Sequence, residues 1–286
     1  MKLLGISGRK QSGKTTVFNC ILGIEMMQLA IIRNRFEITP LGKLLVSDIF
    51  GNTDHAGVFD PERDNNSMRD FLSEYVSPYI KSYGFADILK RIVCIDILGL
   101  SHTACYGTDA EKMELTHLKW EDMPGVTTEE VPQDPVDIEV AGRLGKYYEK
   151  CLSGVVYHKP GFMSGREVMQ YVGTEIFRKM HNPVWIDSCL RNIVKEGSLF
   201  PIVPDCRFPN EVEAIQKVGG KVIRLTRNGE DPDVHSSERE LDRDVYDWNK
   251  FDVVIDNANM TIGEQNHEIL RLLSKWGWTE RVVEGA

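Results

Sequence analysis

"GRKQSGKT", Gly8 to Thr15, decides the fold of this chain. It fits G-x-x-x-x-G-K-[ST] at every specified position. The flanks fit too. "KLLGIS" before it reads as a buried strand, and "KTTVFNCILGIEMMQL" after it reads as a helix. Phosphate chemistry explains the spacing. Glycines let successive backbone N–H groups face an anion, and the following helix adds a partial positive charge at its N-terminus. Lys14 can reach β- and γ-phosphates, and the Thr15 hydroxyl suits Mg²⁺. A strand, a phosphate loop and a helix predict an α/β fold with a central parallel sheet flanked by helices.

The rest of the chain is consistent with a single domain over residues 1–286. Hydrophobic residues make up 42% and charged residues 27%, an ordinary globular balance. The net charge of −9 argues against nucleic acid and anionic membrane as partners. Phosphate binding must then come from local basic clusters. The cysteines (Cys20, Cys94, Cys105, Cys151, Cys189 and Cys206) form no C-x-x-C pair and no zinc spacing, which fits a reducing cytoplasm. "MKLLGISGRK" does not read as a signal peptide. No apolar run approaches the roughly 20 residues of a membrane span.

Further elements follow from local signals. Residues 31–84 are mixed, and "GNTDHAGVFDPERDNNS" reads as a long loop. "ADILKRIVCIDIL" has helical spacing. An acidic, proline-containing segment, 121–139, reads as an exposed insertion. Ser164 and Glu167 fit a capping box, starting a helix that runs to about Met180. Asn182-Pro183 opens another helix, which Gly197 can end. "LFPIVPD", "PNEVEAIQKV" and "KVIRLTR" read as strand, helix and strand, hence a parallel pair. Pro201 and Pro204 are awkward in a central strand. "FDVVID" reads as the last strand, and Thr261 with Glu264 caps a C-terminal helix.

A phosphate loop alone does not separate kinases from switches. "NKFD" at Asn249–Asp252 fits a guanine-reading pattern, and "DMPG" at Asp122–Gly125 fits a switch pattern. "NKFD", however, precedes a strand instead of following one, and "DMPG" lies in the acidic segment. The helix after Ser164 says more. Arg166, Gln170 and Thr174 share one face at i, i+4, i+8. Gly173 beside them costs about 1 kcal/mol relative to alanine, which suggests close approach of a ligand or another backbone.

Seven blocks occur in order: "GISGRKQSGKTT", "GFADILKRI", "GREVMQYVGTEIFR", "PVWIDSCL", "DCRFPNEVEAI", "GGKVIRLTR" and "DVHSSE". Together they resemble the deoxynucleoside monophosphate kinase family known mainly from bacteriophages. Thr15 departs from that family, many of whose members have Asp there. The resemblance implies a P-loop, nucleoside monophosphate kinase-like fold with inserted acceptor-binding and lid segments. The implied reaction passes the γ-phosphoryl of ATP to a deoxynucleoside 5′-monophosphate, with Mg²⁺, in the cytoplasm (the host's, if phage-encoded), by a homodimer. A kinase for another phosphorylated acceptor, such as phosphomevalonate, and a GTPase-type switch are the alternatives.

The resemblance also implies roles. Gly8, Lys10, Gln11, Ser12, Gly13, Lys14, Thr15 and Thr16 would hold ATP, with Arg227 and Asn257 nearby. Lys90, Arg91 and Arg166 would bind the acceptor phosphate, although Lys90 and Arg91 equally fit a basic helix end. Phe85 would pack on the base, and Gln170 and Thr174 would read it. Trp185 would be a pocket wall or a core side chain. Lys14, Arg166, Asp205 and Arg207 would be catalytic, with Thr15 and Asp205 on the metal. Asp205 and Arg207 also fit a salt bridge that shapes a turn. Segment 228–243, with Arg239 or Arg243, reads as a lid or as a solvated linker.

Overall fold

The computed structural model describes residues 2–32, 36–46, 57–61, 65–127, 149–150, 156–227 and 240–279. Most of segments 121–139 and 228–243, with Cys151, His235, Arg239 and the block "DVHSSE", lie outside the described residues.

Two compact units emerge inside the one domain expected. The first joins Met1–Gly84 to Leu190–Ala286, and the second is the continuous stretch Phe85–Cys189.

The first unit is built on a parallel sheet of β1 (Leu4–Gly8), β2 (Ile80–Ser82), β3 (Phe200–Cys206), β4 (Lys221–Leu225) and β5 (Val253–Ile255). Its spatial order is β5-β4-β1-β3-β2, every neighbouring pair parallel. The chain fills one side of β1 with β2 and β3, then crosses to place β4 and β5 on the other. The carboxyl end of β1 is therefore the point of reversal, where open α/β sheets hold ligands.

Three helices of this unit are α1 (Lys14–Gln28), α2 (Pro209–Lys217) and α3 (Ile262–Lys275). Val17, Ile21 and Leu22 of α1 share one core with Ile6, Ile202 and Ile223 of the sheet and Ile269, Leu272 and Leu273 of α3. α1 is apolar on nearly all sides, the pattern of a buried helix. Its outer cover is an antiparallel meander, Phe36–Ile38, Leu44–Val46 and Gly57–Phe59. Phe36 lies so close to Gly23 that a Cβ there would meet its ring at 2.6 Å. The buried Asn19 donates to the Gly42 carbonyl at 2.8 Å and fastens the meander's turn. The long loop expected from "GNTDHAGVFDPERDNNS" thus contains the third strand of a sheet. Its polar sequence hides this because only Phe59 of that strand is buried. Ile215 of α2 covers the other side of β1 at Gly5.

Pro204 is accommodated by a bulge. Gly5 pairs with Val203 and Ser7 with Cys206, so β3 has one residue more than β1 across that step. Bulges tolerate proline and re-aim side chains beside functional sites. Here the re-aimed stretch contains Asp205.

The second unit has its own core, including Leu89, Val93, Cys94, Trp120, Tyr171 and Trp185. Leu89–Ile97 is a π-helix, and the strand Leu115–Lys119 pairs antiparallel with Phe162–Ser164. The capping box at Ser164 and Glu167 is present. The single α-helix expected after it is α-helical only over Gly165–Gln170, then π-helical over Tyr171–Arg178. Gly173 lies in that wider turn. Its carbonyl accepts the Trp185 indole N–H at 3.1 Å, so a side chain supplies a donor outside the helical ladder. No helix among the described residues is long and apolar enough to cross a membrane.

Candidate active site

The phosphate loop leaves β1 at its carboxyl edge and is shaped by two left-handed residues. Gln11 has φ 64° and Gly13 has φ 97°. Gly8 is equally constrained, since a Cβ there would stand 2.2 Å from Ser12 Oγ. Lys10, Gln11 and Thr15 are exposed at the rim, while Ser12 is buried. The Lys14 ammonium folds over the loop and donates to the carbonyls of Gly8 at 2.6 Å and Arg9 at 2.9 Å. Those bonds hold a cation where a phosphate would arrive.

Asp205 joins this lysine to Arg207. Its Oδ1 is 3.7 Å from Lys14 Nζ, and its Oδ2 accepts from Arg207 Nε and pairs with the same guanidinium's terminal nitrogen, both at 2.7 Å. Asp205 and Arg207 are each 42% exposed in their side chains. The turn between them is set by Glu211, one turn into α2. Its buried carboxylate accepts the N–H groups of Arg207 at 2.7 Å and Phe208 at 3.1 Å. The sequence reading missed Glu211, although Pro209 at the helix start with Glu211 two residues on is a legible capping signal.

Behind the loop lies a polar layer. Asn257, fully buried, donates to the Ser12 carbonyl at 2.8 Å and to Gln265 Oε1. Gln265 is fully buried on α3 and stands against Gly13, where a Cβ would meet its Oε1 at 2.8 Å. Asn257 therefore braces the loop from beneath. Gln265 does the same and was also missed; its signal is a polar residue on the apolar stripe with Ile269, Leu272 and Leu273. Arg227 reaches the carbonyls of Asn257 at 3.5 Å and Met260 at 3.4 Å. Thr16 sits under Gly42 of the meander turn.

The guanine-reading match falls at the wrong end of the sheet. "NKFD" precedes β5, at the amino edge, opposite the phosphate loop. Asp252 is occupied there by Val222 N–H at 2.9 Å, Lys221 Nζ at 2.8 Å and Gln216 Nε2 at 3.0 Å. Burial alone would raise its carboxyl pKa, but these donors outweigh burial and hold it below the usual carboxylate range.

The residues expected at the acceptor belong to the second unit. Arg166 pairs with Asp109 at 2.5 Å. Lys90 lies over the Tyr106 ring, 4.8 Å from its centroid, and Tyr106 stacks on His102 at 4.9 Å. Both cations thus meet the segment His102–Lys112. Arg91, Gln170 and Thr174 are exposed, and Phe85 is buried. Trp185 is a core side chain, packed on Phe177 at 5.3 Å. At Gly173 the close approach within the protein is a side chain, not another backbone: a Cβ there would meet Leu89 Cδ2 at 2.7 Å.

Comparison with known proteins now adds a second line. Residues 136–265 match the family model described as deoxynucleotide monophosphate kinase. The resemblance is to the deoxynucleotide monophosphate kinase family. A mimivirus protein (Acanthamoeba polyphaga mimivirus) named for the same activity is 30% identical over 121 residues, 37% of this chain and 58% of that protein. The deoxynucleoside-5′-monophosphate kinase of Escherichia phage T5 is 35% identical over 57 residues, 20% of this chain and 23% of that protein. The chain thus spans little more than half the length of the first of these relatives. The kinase-family match takes in β3, α2, β4 and β5 and the helix bearing Arg166, but stops short of the phosphate loop on the N-terminal side. The loop and the match are therefore independent observations, and the parallel sheet joins them at one edge.

Proposed function

We propose that this chain is a phosphotransferase that moves the γ-phosphoryl of ATP to the 5′-phosphate of a deoxynucleoside monophosphate. One observation supports this above the others. Lys14, Asp205 and Arg207 form one chain of contacts beside a phosphate loop, at the carboxyl edge of the sheet. The kinase-family match supports the acceptor class.

The chemistry asks little covalent work of the protein. A nucleoside monophosphate is already anionic, so the barrier is bringing two anions together and stabilising the charge that spreads in transfer. The loop N–H groups hold the β-phosphate, and Lys14 exchanges its two carbonyl bonds for phosphate oxygens. Arg207 neutralises the transferring group, positioned by Asp205 and by the turn that Glu211 holds. Thr15 and Asp205 present hard oxygen donors at the loop rim, which suit Mg²⁺ carried mainly by phosphate and water. Bound there, the ion would draw charge from the phosphate oxygens. Arg166, Lys90 and Arg91 bind the acceptor phosphate, and Gln170 and Thr174 meet its base. Asn257 supports the loop and leaves direct nucleotide contact to Arg227 and the loop itself.

The test is nucleoside diphosphate release from MgATP, and in parallel from MgGTP, with each deoxynucleoside monophosphate, each ribonucleoside monophosphate, phosphomevalonate and no acceptor. Stimulation by one or more deoxynucleotides is expected. Stimulation by phosphomevalonate alone, or acceptor-independent turnover specific to GTP, would replace this reading.

A further inference from the structure

Arg224 is a charged residue in the middle of a buried parallel strand, "KVIRL", where an unpaired cation would be very costly. Its side chain is 5% exposed. One nitrogen donates to Ser7 Oγ at 2.9 Å, and another to Asp242 Oδ1 at 3.3 Å. Asp242, 4% exposed, also takes a two-pronged pair from Arg9: Nε to Oδ1 at 3.1 Å and Nη2 to Oδ2 at 2.6 Å. Ser7 in turn donates to the Cys206 carbonyl at 2.9 Å. One buried carboxylate thus connects the phosphate loop, β4 and, through Ser7, the end of β3 that bears Asp205.

Arg9 is the second residue of the phosphate loop. Its position invites the reading of a phosphate ligand, but its guanidinium is turned into the protein and neutralised there. Its backbone carbonyl meanwhile accepts from Ser12 N–H at 3.2 Å and from Lys14 Nζ at 2.9 Å. Fixing the Arg9 side chain fixes the peptide against which the loop and its lysine are folded. The carboxylate arrives on a well-anchored segment. Leu241 and Tyr246 are buried, and the Trp248 indole donates to the Leu241 carbonyl at 2.9 Å. Residues 240–243, expected as the end of a lid or linker, are packed in the middle, with Leu241 and Asp242 buried.

We infer that Asp242 is a positioning residue for nucleotide binding: by clamping Arg9 against Arg224 it holds the phosphate loop in its anion-receiving shape, without touching the nucleotide. This rests on the reading of the loop as an ATP site. Two variants of the full chain test it, Asp242→Asn and Arg9→Met. Asp242→Asn removes the negative charge that faces two buried guanidinium groups and is expected to lower Tm strongly. Arg9→Met removes the loop side of the clamp and leaves the Asp242–Arg224 pair. Calorimetric titration with MgATP should give a Kd raised about tenfold in Arg9→Met, the size of one charge-assisted interaction. The KM for the acceptor should stay within about twofold of wild type, since no acceptor residue has moved. Arg9→Lys, which keeps the charge but loses the fork, should recover only part of the affinity. An Arg9→Met protein that binds MgATP as wild type does, or loses acceptor and ATP affinity equally, overturns the inference. A wild-type chain that binds no MgATP overturns the nucleotide reading itself, and the two failures are told apart by that control.

Discussion

Asp205 and Asp252 stand at opposite edges of the same parallel sheet, and their surroundings differ in kind. At the amino edge, Asp252 is 15% exposed and receives a backbone N–H, an amide and an ammonium. At the carboxyl edge, Asp205 is 42% exposed and meets two side-chain cations, Lys14 and Arg207. The carboxylate that fastens strands is enclosed and has a strand N–H among its donors. The role proposed for Asp205 asks for a half-open carboxylate, which its 42% exposure provides. Both aspartates border an apolar strand in sequence, Asp252 just before one and Asp205 near the end of another, and that order selects the edge at which each stands.

The largest expected effect breaks the carboxyl edge. Lys14→Ala should lower turnover by about 10²–10³-fold with every acceptor, with a small change in Tm, because its partner Asp205 is 42% exposed and keeps Arg207. A large Tm loss would make Lys14 a structural brace. Next, Asp205→Asn and Asp252→Asn should behave as opposites. Asp205→Asn should cut kcat by about tenfold or more and shift the Mg²⁺ requirement, at little cost in stability. Asp252→Asn should cost about 1–3 kcal/mol in unfolding measurements and leave kcat alone. An unchanged Mg²⁺ curve in the first, or a kcat defect in the second, would dissolve the distinction.

The same contrast extends into the second unit, where Arg166 is half-exposed and Gly173 is enclosed. Arg166→Ala should raise the acceptor KM about tenfold, as for one lost charge-assisted hydrogen bond. A change in ATP affinity alone would move that helix to the wrong substrate. Gly173→Ala sets two magnitudes against each other. Alanine gains about 1 kcal/mol of helix propensity, while a Cβ 2.7 Å from Leu89 Cδ2 overpacks at about 1–3 kcal/mol. Net destabilisation of about 1 kcal/mol is expected, and a stabilised variant would mean that Leu89 rotates away freely.

Legibility in the sequence followed the range of each signal. Loop, capping boxes and helix stops were readable because their causes lie within a few residues: Gly13 needs its positive φ, and Ser164 needs Glu167 three residues on. The order of the sheet was not, since it depends on the crossing from β3 to β4 around β1. The clamp was least readable of all. Arg9 and Asp242 are separated by 233 positions, and each alone looks like a surface charge. Arg224 did carry a warning, a cation inside an apolar strand. Gly173 stood out for its missing Cβ, and the protein neighbour that needs the space is the Leu89 side chain.

The finest test of the two edges is pH. Asp252 has a folded pKa below its unfolded value of about 3.9. A depressed carboxyl contributes its stability above the unfolded value and loses it as pH falls through the folded one. The Tm gap between wild type and Asp252→Asn should therefore be widest above about pH 5 and close progressively below about pH 4. If the Asp252 gap were constant down to strong acid, its charge would be irrelevant and only the shape of the side chain would matter. The amino edge would then be held by packing, and the difference between the two aspartates would be one of exposure alone.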